Sequence, residues 1–222
     1  LGEGGFDLCD KVVVTIDTRQ PGAVQVIYLV RHGQTEFNHA RRLQGQWDSK
    51  LTPLGVEQAR RMGAHLKPRV VDPERWVIIA SPLGRTVKTA EIIRETIGLD
   101  SEIRLEPRVM ELHVGEWEGL HHHEIEALSP GTVGPPGWLL TAPGGERHDD
   151  IVGRIASFVA ELDETDGMNR IIVSHGIAGR ILRALYSGEP QDRLWLTPSP
   201  PQDAVFHLSG GKVARIDERE TA

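Results

Sequence analysis

Arg31, His32 and Gly33 close an apolar, β-branched run, Val26-Ile-Tyr-Leu-Val30, and their types suit phosphate chemistry. Arginine offers a rigid fork of donors that matches a phosphate. Imidazole is a nucleophile or base near neutral pH. Glycine lets a ligand or another backbone come close. Taken alone, the stretch reads equally well as a strand end with a solvated arginine and a hydrogen-bonded histidine. Two more apolar runs finish in the same way. Trp76–Ala80 leads through Ser81-Pro82 to Arg85, and Arg170–Ser174 ends in His175-Gly176. The carboxyl ends of parallel strands converge on one edge of a sheet. Helix N-termini lie at that edge, with free N–H groups and partial positive charge. Two arginines and two histidines gathered there repel one another unless an anion offsets them. No carboxylate stands at these strand ends, so the constellation points to a dianionic ligand, with phosphate the natural candidate.

The elements that must hold these residues follow from periodicity. Short, continuous, Val- and Ile-rich runs read as buried strands. Leu51-Thr52-Pro53 opens a helix, with Thr52 as N-cap and Pro53 as first residue, and Val56, Ala59, Met62, Gly63 and Leu66 on one face. Ser81-Pro82 caps and opens the next, with Leu83, Val87, Ala90, Ile93 and Ile97 as its stripe and Gly98 as its stop. Arg85 falls in its first turn, off that stripe, where a surface arginine is the ordinary account. Ile103 to Leu105 reads as a short strand. Ile151, Ile155, Phe158, Val159 and Leu162 mark a third helix, and Ile177, Ile181, Leu182 and Leu185 a fourth. Ala204–Leu208 and Lys212–Ile216, around Gly210-Gly211, form a closing hairpin. Between Glu111 and Gly145 the chain lacks a clear period and holds several prolines and glycines. So long an irregular stretch in a compact domain reads as a lid or binding loop. Residues 1–10 are loose, Lys11–Ile16 reads as an added edge strand, and Gln20-Pro-Gly22 as a turn.

Composition narrows the classes. The 222 residues suit one domain with an insertion: residues 1–222, with 1–23 as an N-terminal extension and about 112–145 as the lid. A net charge of −7 argues against a general nucleic-acid binder, which needs a broad basic surface, but not against a local cationic pocket. The single cysteine, Cys9, excludes an internal disulfide and a cysteine zinc cluster. No apolar run approaches the roughly 20 residues of a membrane span, so no membrane partner is expected and the cytoplasm is the default location. His121-His122-His123 suggests metal only superficially. Adjacent residues do not face one point, and no i, i+4 ligand pair accompanies them. Nothing in the sequence sets an oligomeric state.

These residues together resemble the histidine phosphatase superfamily, the phosphoglycerate-mutase-like fold, from about Val26 to Leu185. Leu29-Val-Arg-His-Gly33 is similar to the family signature. Gln44-Gly45, Asp48, Leu51-Thr52 and Gly55 through Gln58-Ala59 fit the block that follows. Ser81-Pro82-Leu83, Arg85 and Thr89-Ala90 fit the next. Glu111, Gly115 and Trp117-Glu-Gly119 fit an acid/base block, and Pro143-Gly-Gly-Glu146 and Val173-Ser-His-Gly176 complete the match. The resemblance implies a three-layer α/β/α sandwich with a mostly parallel central sheet, helices on both faces and a small lid. In the implied mechanism His32 attacks phosphorus in line, with its other ring nitrogen fixed by a backbone carbonyl, and forms a phosphohistidine. Arg31, Arg85 and His175 hold the equatorial oxygens. Asn38 is a further phosphate donor, and Gln44 lines the same pocket in the phosphatase branch. Glu111 protonates the leaving oxygen and then takes a proton from water, a role that an apolar, water-excluding lid would favour. Protein cations do a metal's work, so neither metal nor cofactor is expected.

On spacing alone Glu116 and Glu118 rival Glu111, and the resemblance favours Glu111. Trp117 reads as packing or lid wall. His113, His121, Trp138 and Arg147 are the lid side chains that could meet a leaving group. Gln34-Thr35 follows the signature where mutases typically carry Glu-Ser, and the insertion is modest. Both favour a phosphomonoesterase acting on a small phosphorylated metabolite. The alternatives are a cofactor-dependent phosphoglycerate mutase and a non-catalytic phosphate-binding relative.

Overall fold

The computed structural model describes residues 25–162 and 166–216. The expected edge strand at Lys11–Ile16, the turn at 20–22 and Cys9 lie outside them. Six strands form one sheet: β1 (Ile27–Arg31), β2 (Trp76–Ala80), β3 (Ile103–Leu105), β4 (Asn169–Ser174), β5 (Val205–Ser209) and β6 (Lys212–Ile216). Their order is β3-β2-β4-β1-β5-β6. The first four are parallel, and β5 and β6 add as an antiparallel hairpin. Because β4 lies between β1 and β2, the three strands ending in site residues are direct neighbours. Arg31 pairs with Ser174, and Ala80 with Val173.

Helices cover both faces, as the strand composition requires. β1 and β4 are apolar on both sides, so each face needs its own layer. Tyr28, Val30, Ile78, Ile171 and Val173 pack with Met62 and Leu66 of α2 (Pro53–Leu66) and Ala90 and Ile93 of α3 (Gly84–Ile97). Ile27, Leu29 and Ile172 pack with Ile151, Ile155 and Phe158 of α5 (His148–Leu162) and Ile181 and Leu182 of α6 (Gly176–Tyr186). Two short helices complete the set: α1 (Glu36–His39) and α4 (His122–Leu128).

Two local readings are corrected. Ser81 does not cap α3: the helix starts at Gly84, Leu83 is its N-cap, and no side chain caps it. The Ser81 hydroxyl is engaged elsewhere, as described below. Nor is the stretch from Glu111 to Gly145 simply irregular. It folds as a 3₁₀ turn at Gly115–Trp117, α4, and a second 3₁₀ turn at Trp138–Thr141. Recurrent left-handed glycines end each piece after a turn or two, which erases any period in the sequence.

Candidate active site

The ends of β1, β2 and β4 meet as expected from their types. The rings of His32 and His175 stand 5.2 Å apart between centroids, inclined at 62°. His32 Nδ1 lies 2.8 Å from the carbonyl oxygen of Gly33. A carbonyl can only accept, so Nδ1 carries the hydrogen. Burial, then the charges of Arg85 and Arg31, hold the imidazole well below its ordinary pKa of 6.5. The ring is therefore neutral at pH 7 and Nε2 keeps its lone pair. Gly33 makes this possible at close quarters, since a Cβ there would strike the carbonyl of Gly55 on α2. Its own N–H donates to Thr89 Oγ1 of α3 at 3.2 Å.

Arg85 is buried, not on the surface: only 1% of it is exposed. The buried face of α3 includes Arg85, Thr86 and Thr89 as well as the apolar stripe. Nearly all its donors have protein partners. Nε–H donates to His175 Nδ1 at 3.2 Å. Nη1 serves Trp47 O at 2.7 Å and Asp48 Oδ1 at 3.2 Å, and Nη2 serves Gly45 O at 2.6 Å. Of the five N–H groups of a guanidinium, one on Nη2 is left. His175 is likewise engaged on both nitrogens. Since Nδ1 accepts from Arg85, Nε2 carries the hydrogen and donates it to Ser81 Oγ at 2.8 Å. Burial and the nearby cations hold this ring well below 6.5 too.

Arg31 differs. Among the described residues its one bond is from Nη1 to Pro200 O at 3.1 Å, and its buried Nε has no partner. Its guanidinium lies over Gly176, the first residue of α6. Burial lowers the pKa of both arginines, and the nearby Glu111 carboxylate partly restores it.

Glu111 reaches the same place from a loop. Its Oε1 accepts from the N–H groups of Leu112 and Ala178 at 3.0 Å, and Oε2 from Ile177 at 3.1 Å. The carboxylate thus caps α6, the helix that follows His175. Arg154 on α5 steadies that loop, donating to the carbonyls of Arg108, Met110 and Glu111 while paired with Glu146 at 2.6 Å. The arrangement explains the Pro143–Glu146 block. Asn38 sits on α1, with Oδ1 accepting from Thr35 N–H and from Gln202 Nε2, so its Nδ2 donors point the other way. Gln44 is buried, taking the Thr35 hydroxyl on Oε1 and giving Nε2–H to Ser49.

Arg31, His32, Asn38, Gln44, Arg85 and Glu111 line one cleft of about 180 Å³. His175 stands behind Arg85 and is not in that lining. Of the four lid side chains expected near a leaving group, none lines the cleft; the lid and its approaches supply Val114 and Leu139 instead. Trp117 is buried against Trp138, with ring centroids 5.5 Å apart.

Sequence reasoning missed the residues that build the wall. Glu118 is 5% exposed and accepts from Gln46 N–H at 2.7 Å and Trp47 N–H at 3.1 Å. It holds the very turn whose carbonyls grip Arg85. Gly45 at the head of that turn has φ +52, and a Cβ there would collide with the Glu118 carboxylate. In the sequence Glu118 stands out only within an acid/base block, as a rival to Glu111, and not as the partner of the 45–47 turn. Ser81 and Asp48 are further anchors, and Gln202 had no signal at all.

Among the described residues no group of three or more His, Cys, Asp or Glu side chains is arranged to hold a metal ion. His121 and His123 stack on each other at 5.2 Å, while His122 turns edge-on to Trp138. No helix of the described residues is long and apolar enough to cross a membrane.

Comparison with known proteins agrees with the fold. The histidine phosphatase superfamily (branch 1) matches residues 27–209. A probable phosphoglycerate mutase, GpmB, from an Enterobacter species is 37% identical over 205 residues, 88% of this chain and 86% of its own. Bacillus stearothermophilus YhfR superposes with a TM-score of 0.71 at 33% identity, covering 89% of this chain and 98% of its own. The mycobacterial glucosyl-3-phosphoglycerate phosphatase, solved in complex with VO3, superposes with a TM-score of 0.70 at 29% identity, covering 86% and 96%.

Proposed function

The chain belongs to the histidine phosphatase superfamily, and from that premise we propose that it hydrolyses a small phosphomonoester through a phosphohistidine on His32. The observation that carries this reading is the His32 ring itself. Its Nδ1 hydrogen is fixed by Gly33 O, its proton affinity is depressed, and it lines the cleft beside Arg31. An imidazole so held attacks as a neutral nucleophile.

In the first step the Nε2 lone pair forms the N–P bond as the P–O bond to the leaving group breaks. Glu111 gives the departing oxygen its proton, and the product alcohol leaves. Oε2 of Glu111 accepts a single backbone bond, so a lone pair remains on it for that proton. In the second step water attacks phosphorus, Glu111 takes the water proton, the N–P bond breaks and phosphate departs. Arg31, with four N–H groups not used by described residues, is the main clamp on the equatorial oxygens. Asn38 adds its amide donors, and Gln44 fills the wall beside them. Arg85 supplies one N–H and, more importantly, orients His175. No step needs a metal.

The name carried by the Enterobacter relative favours a second reading, a phosphoglycerate mutase, in which an alcohol replaces water in the second step. Two measurements separate the possibilities. Rapid quench with a ³²P-labelled monoester should trap an acid-labile, base-stable phosphoenzyme that His32→Ala lacks. Phosphate release should exceed 2,3-bisphosphoglycerate-dependent isomerisation of 3-phosphoglycerate; the reverse ratio would establish the mutase. A chain that forms no phosphoenzyme and releases no phosphate is a binding module, and the hydrolase reading ends.

A further inference from the structure

Beside the cleft runs a second concavity, a groove of about 670 Å³. Arg31, Asn38 and Arg42 line both, so the two spaces are neighbours across these side chains. Arg41, His121 and His123 extend the lining outward, and no carboxylate belongs to it. Such a concentration of cations is unusual on a chain of net charge −7, and it focuses the local field on anions.

The groove is built, not incidental. Its two walls are zipped together: Leu43 N–H donates to Leu120 O and Gly119 N–H to Leu43 O, both at 2.8 Å, and Arg42 bridges His121. Arg42 Nη1 also donates to Gly119 O at 2.6 Å, which fixes one guanidinium against the wall. Arg41 stands at φ +56 as the left-handed stop of α1, its N–H donating to Asn38 O at 3.1 Å and the Arg42 N–H to Phe37 O at 2.9 Å. The His121 ring leans on the Arg41 carbonyl at 3.3 Å. Arg41's own guanidinium has no partner among the described residues, and it is exposed at the groove. Outside the lining, the Glu124 carboxylate accepts the His121 backbone N–H at 2.7 Å and feels the charges of His121, Arg42 and His123, but not that of Arg41. The groove thus presents an unpaired guanidinium beside those of Arg31 and Arg42, next to the cleft.

We propose that this groove receives a second phosphoryl group, so that the preferred substrates are small metabolites bearing two. The proposal rests on the phosphomonoesterase reading of the cleft. The first phosphoryl group occupies the cleft on Arg31 and Asn38, and the second lies between Arg41 and Arg42 with the stacked imidazoles beside it. A dianion matches this donor set better than a carboxylate, because it carries more charge and more acceptor oxygens for the two guanidinium groups.

The test compares glucose 6-phosphate with glucose 1,6-bisphosphate on the wild type, Arg41→Glu and Arg41→Gly. The wild type should prefer the bisphosphate in kcat/KM, and the preference should shrink with added salt. Arg41→Glu should remove it, lowering kcat/KM for the bisphosphate at least roughly tenfold while changing the monophosphate less than about threefold. Arg41→Gly relieves the backbone strain, so a merely structural role predicts no loss or a gain. The binding role predicts loss of the preference with an equal or higher Tm. Equal kcat/KM for the two sugars, or equal loss on both in Arg41→Glu, overturns the proposal. Should the wild type hydrolyse neither sugar, the phosphoenzyme trap decides the hydrolase reading separately, and calorimetry on the same proteins decides the groove. Tighter binding of the bisphosphate that depends on Arg41 supports it, and equal binding overturns it.

Discussion

The floor of the cleft and the wall that faces it are made differently. Arg31, His32 and His175 stand at the ends of β1 and β4, held by strand ladders in the middle of the sheet. The wall, residues 44–48 and 111–118, has no strand and only one 3₁₀ turn to fix it. Its rigidity comes from carboxylates that gather backbone N–H groups: Glu118 on Gln46 and Trp47, and Glu111 on Leu112, Ile177 and Ala178. Arg85 is where the two meet, with His175 on one side and three wall acceptors on the other. The lesson is a division of labour between the two arginines. Arg31 leaves four N–H groups unused by the described residues, and Arg85 uses its donors to hold the wall to the floor.

The largest expected effect is at the floor. His32→Ala should abolish turnover, lowering kcat by at least about three orders of magnitude, with Tm little changed. Steady-state kinetics beside thermal denaturation checks both halves. Residual turnover within tenfold of wild type would move the nucleophile elsewhere. The arginines should then part company. Arg31→Ala should lower kcat/KM by about 10²–10³ at little cost in stability. Arg85→Ala should lose activity and also about 3 kcal/mol of stability, because buried carbonyls and His175 are left without a donor. Equal denaturant midpoints for the two variants would erase the distinction drawn between them.

Acid should act on the floor and spare the wall. Both His32 and His175 are held neutral by burial and neighbouring cations, well below 6.5. In the unfolded chain they titrate near 6.5. Above that value both states are neutral and stability does not depend on these groups. As pH falls below it, the unfolded state takes up protons that the folded state refuses. Stability should therefore drop by about 1.4 kcal/mol per pH unit for each ring. His207, also lowered by burial, acts in the same direction. Denaturation midpoints at pH 7.5, 6.5 and 5.5 check the slope; a flat profile would mean the floor histidines carry protons. A bound phosphate dianion should flatten it, since it offsets the arginine charges that repel a proton.

The same contrast explains what could be read from residues alone. β2 and β3 fall where periodicity places them, at Trp76–Ala80 and Ile103–Leu105, because an apolar strand writes its burial into consecutive residues. The strand ends were legible for the same reason: a polar residue after such a run has one place to go. The wall was not. Its key contacts join Glu118 to Gln46, 72 positions apart, and use backbone atoms, which every residue carries. Arg85 shows the limit from the other direction. Helical period put it off the apolar face, and it is buried because that face meets carbonyls as well as the sheet. Asn38 and Gln44 were legible only through resemblance; their partners, Gln202 and Ser49, follow from no local pattern.

Glu118→Gln tests the wall at smaller scale. The amide keeps its shape but sets an NH₂ against one of the N–H donors of Gln46 and Trp47, so one bond becomes a clash of donors. The expected cost is about 1–3 kcal/mol, with a fall of roughly tenfold in kcat as Arg85 loses its fixed acceptors. A change in KM alone would mean that the turn touches substrate but does not set Arg85.

The smallest effect belongs to the one hydroxyl that ties the floor together from behind. Ser81 Oγ takes the Nε2 hydrogen of His175 at 2.8 Å, the second tether of a ring whose tautomer Arg85 sets at Nδ1. Ser81→Ala removes that acceptor without touching the cleft. His175 then keeps the Arg85 bond and its tautomer, but its Nε2 hydrogen loses its acceptor and the ring its second tether. Activity should fall by three- to tenfold at most, a small share of the 10–100-fold typical when a partner behind a metal-bound histidine is lost. Ser81→Thr, which keeps the hydroxyl, should restore part of it if the buried site admits the methyl. The decisive readout is the pH profile of kcat/KM. With no acceptor for its Nε2 hydrogen the His175 imidazolium is harder to form, so the acidic limb should move to lower pH in Ser81→Ala. A parallel loss at every pH would instead assign Ser81 to packing, and the floor would then be held by its strands and Arg85 alone.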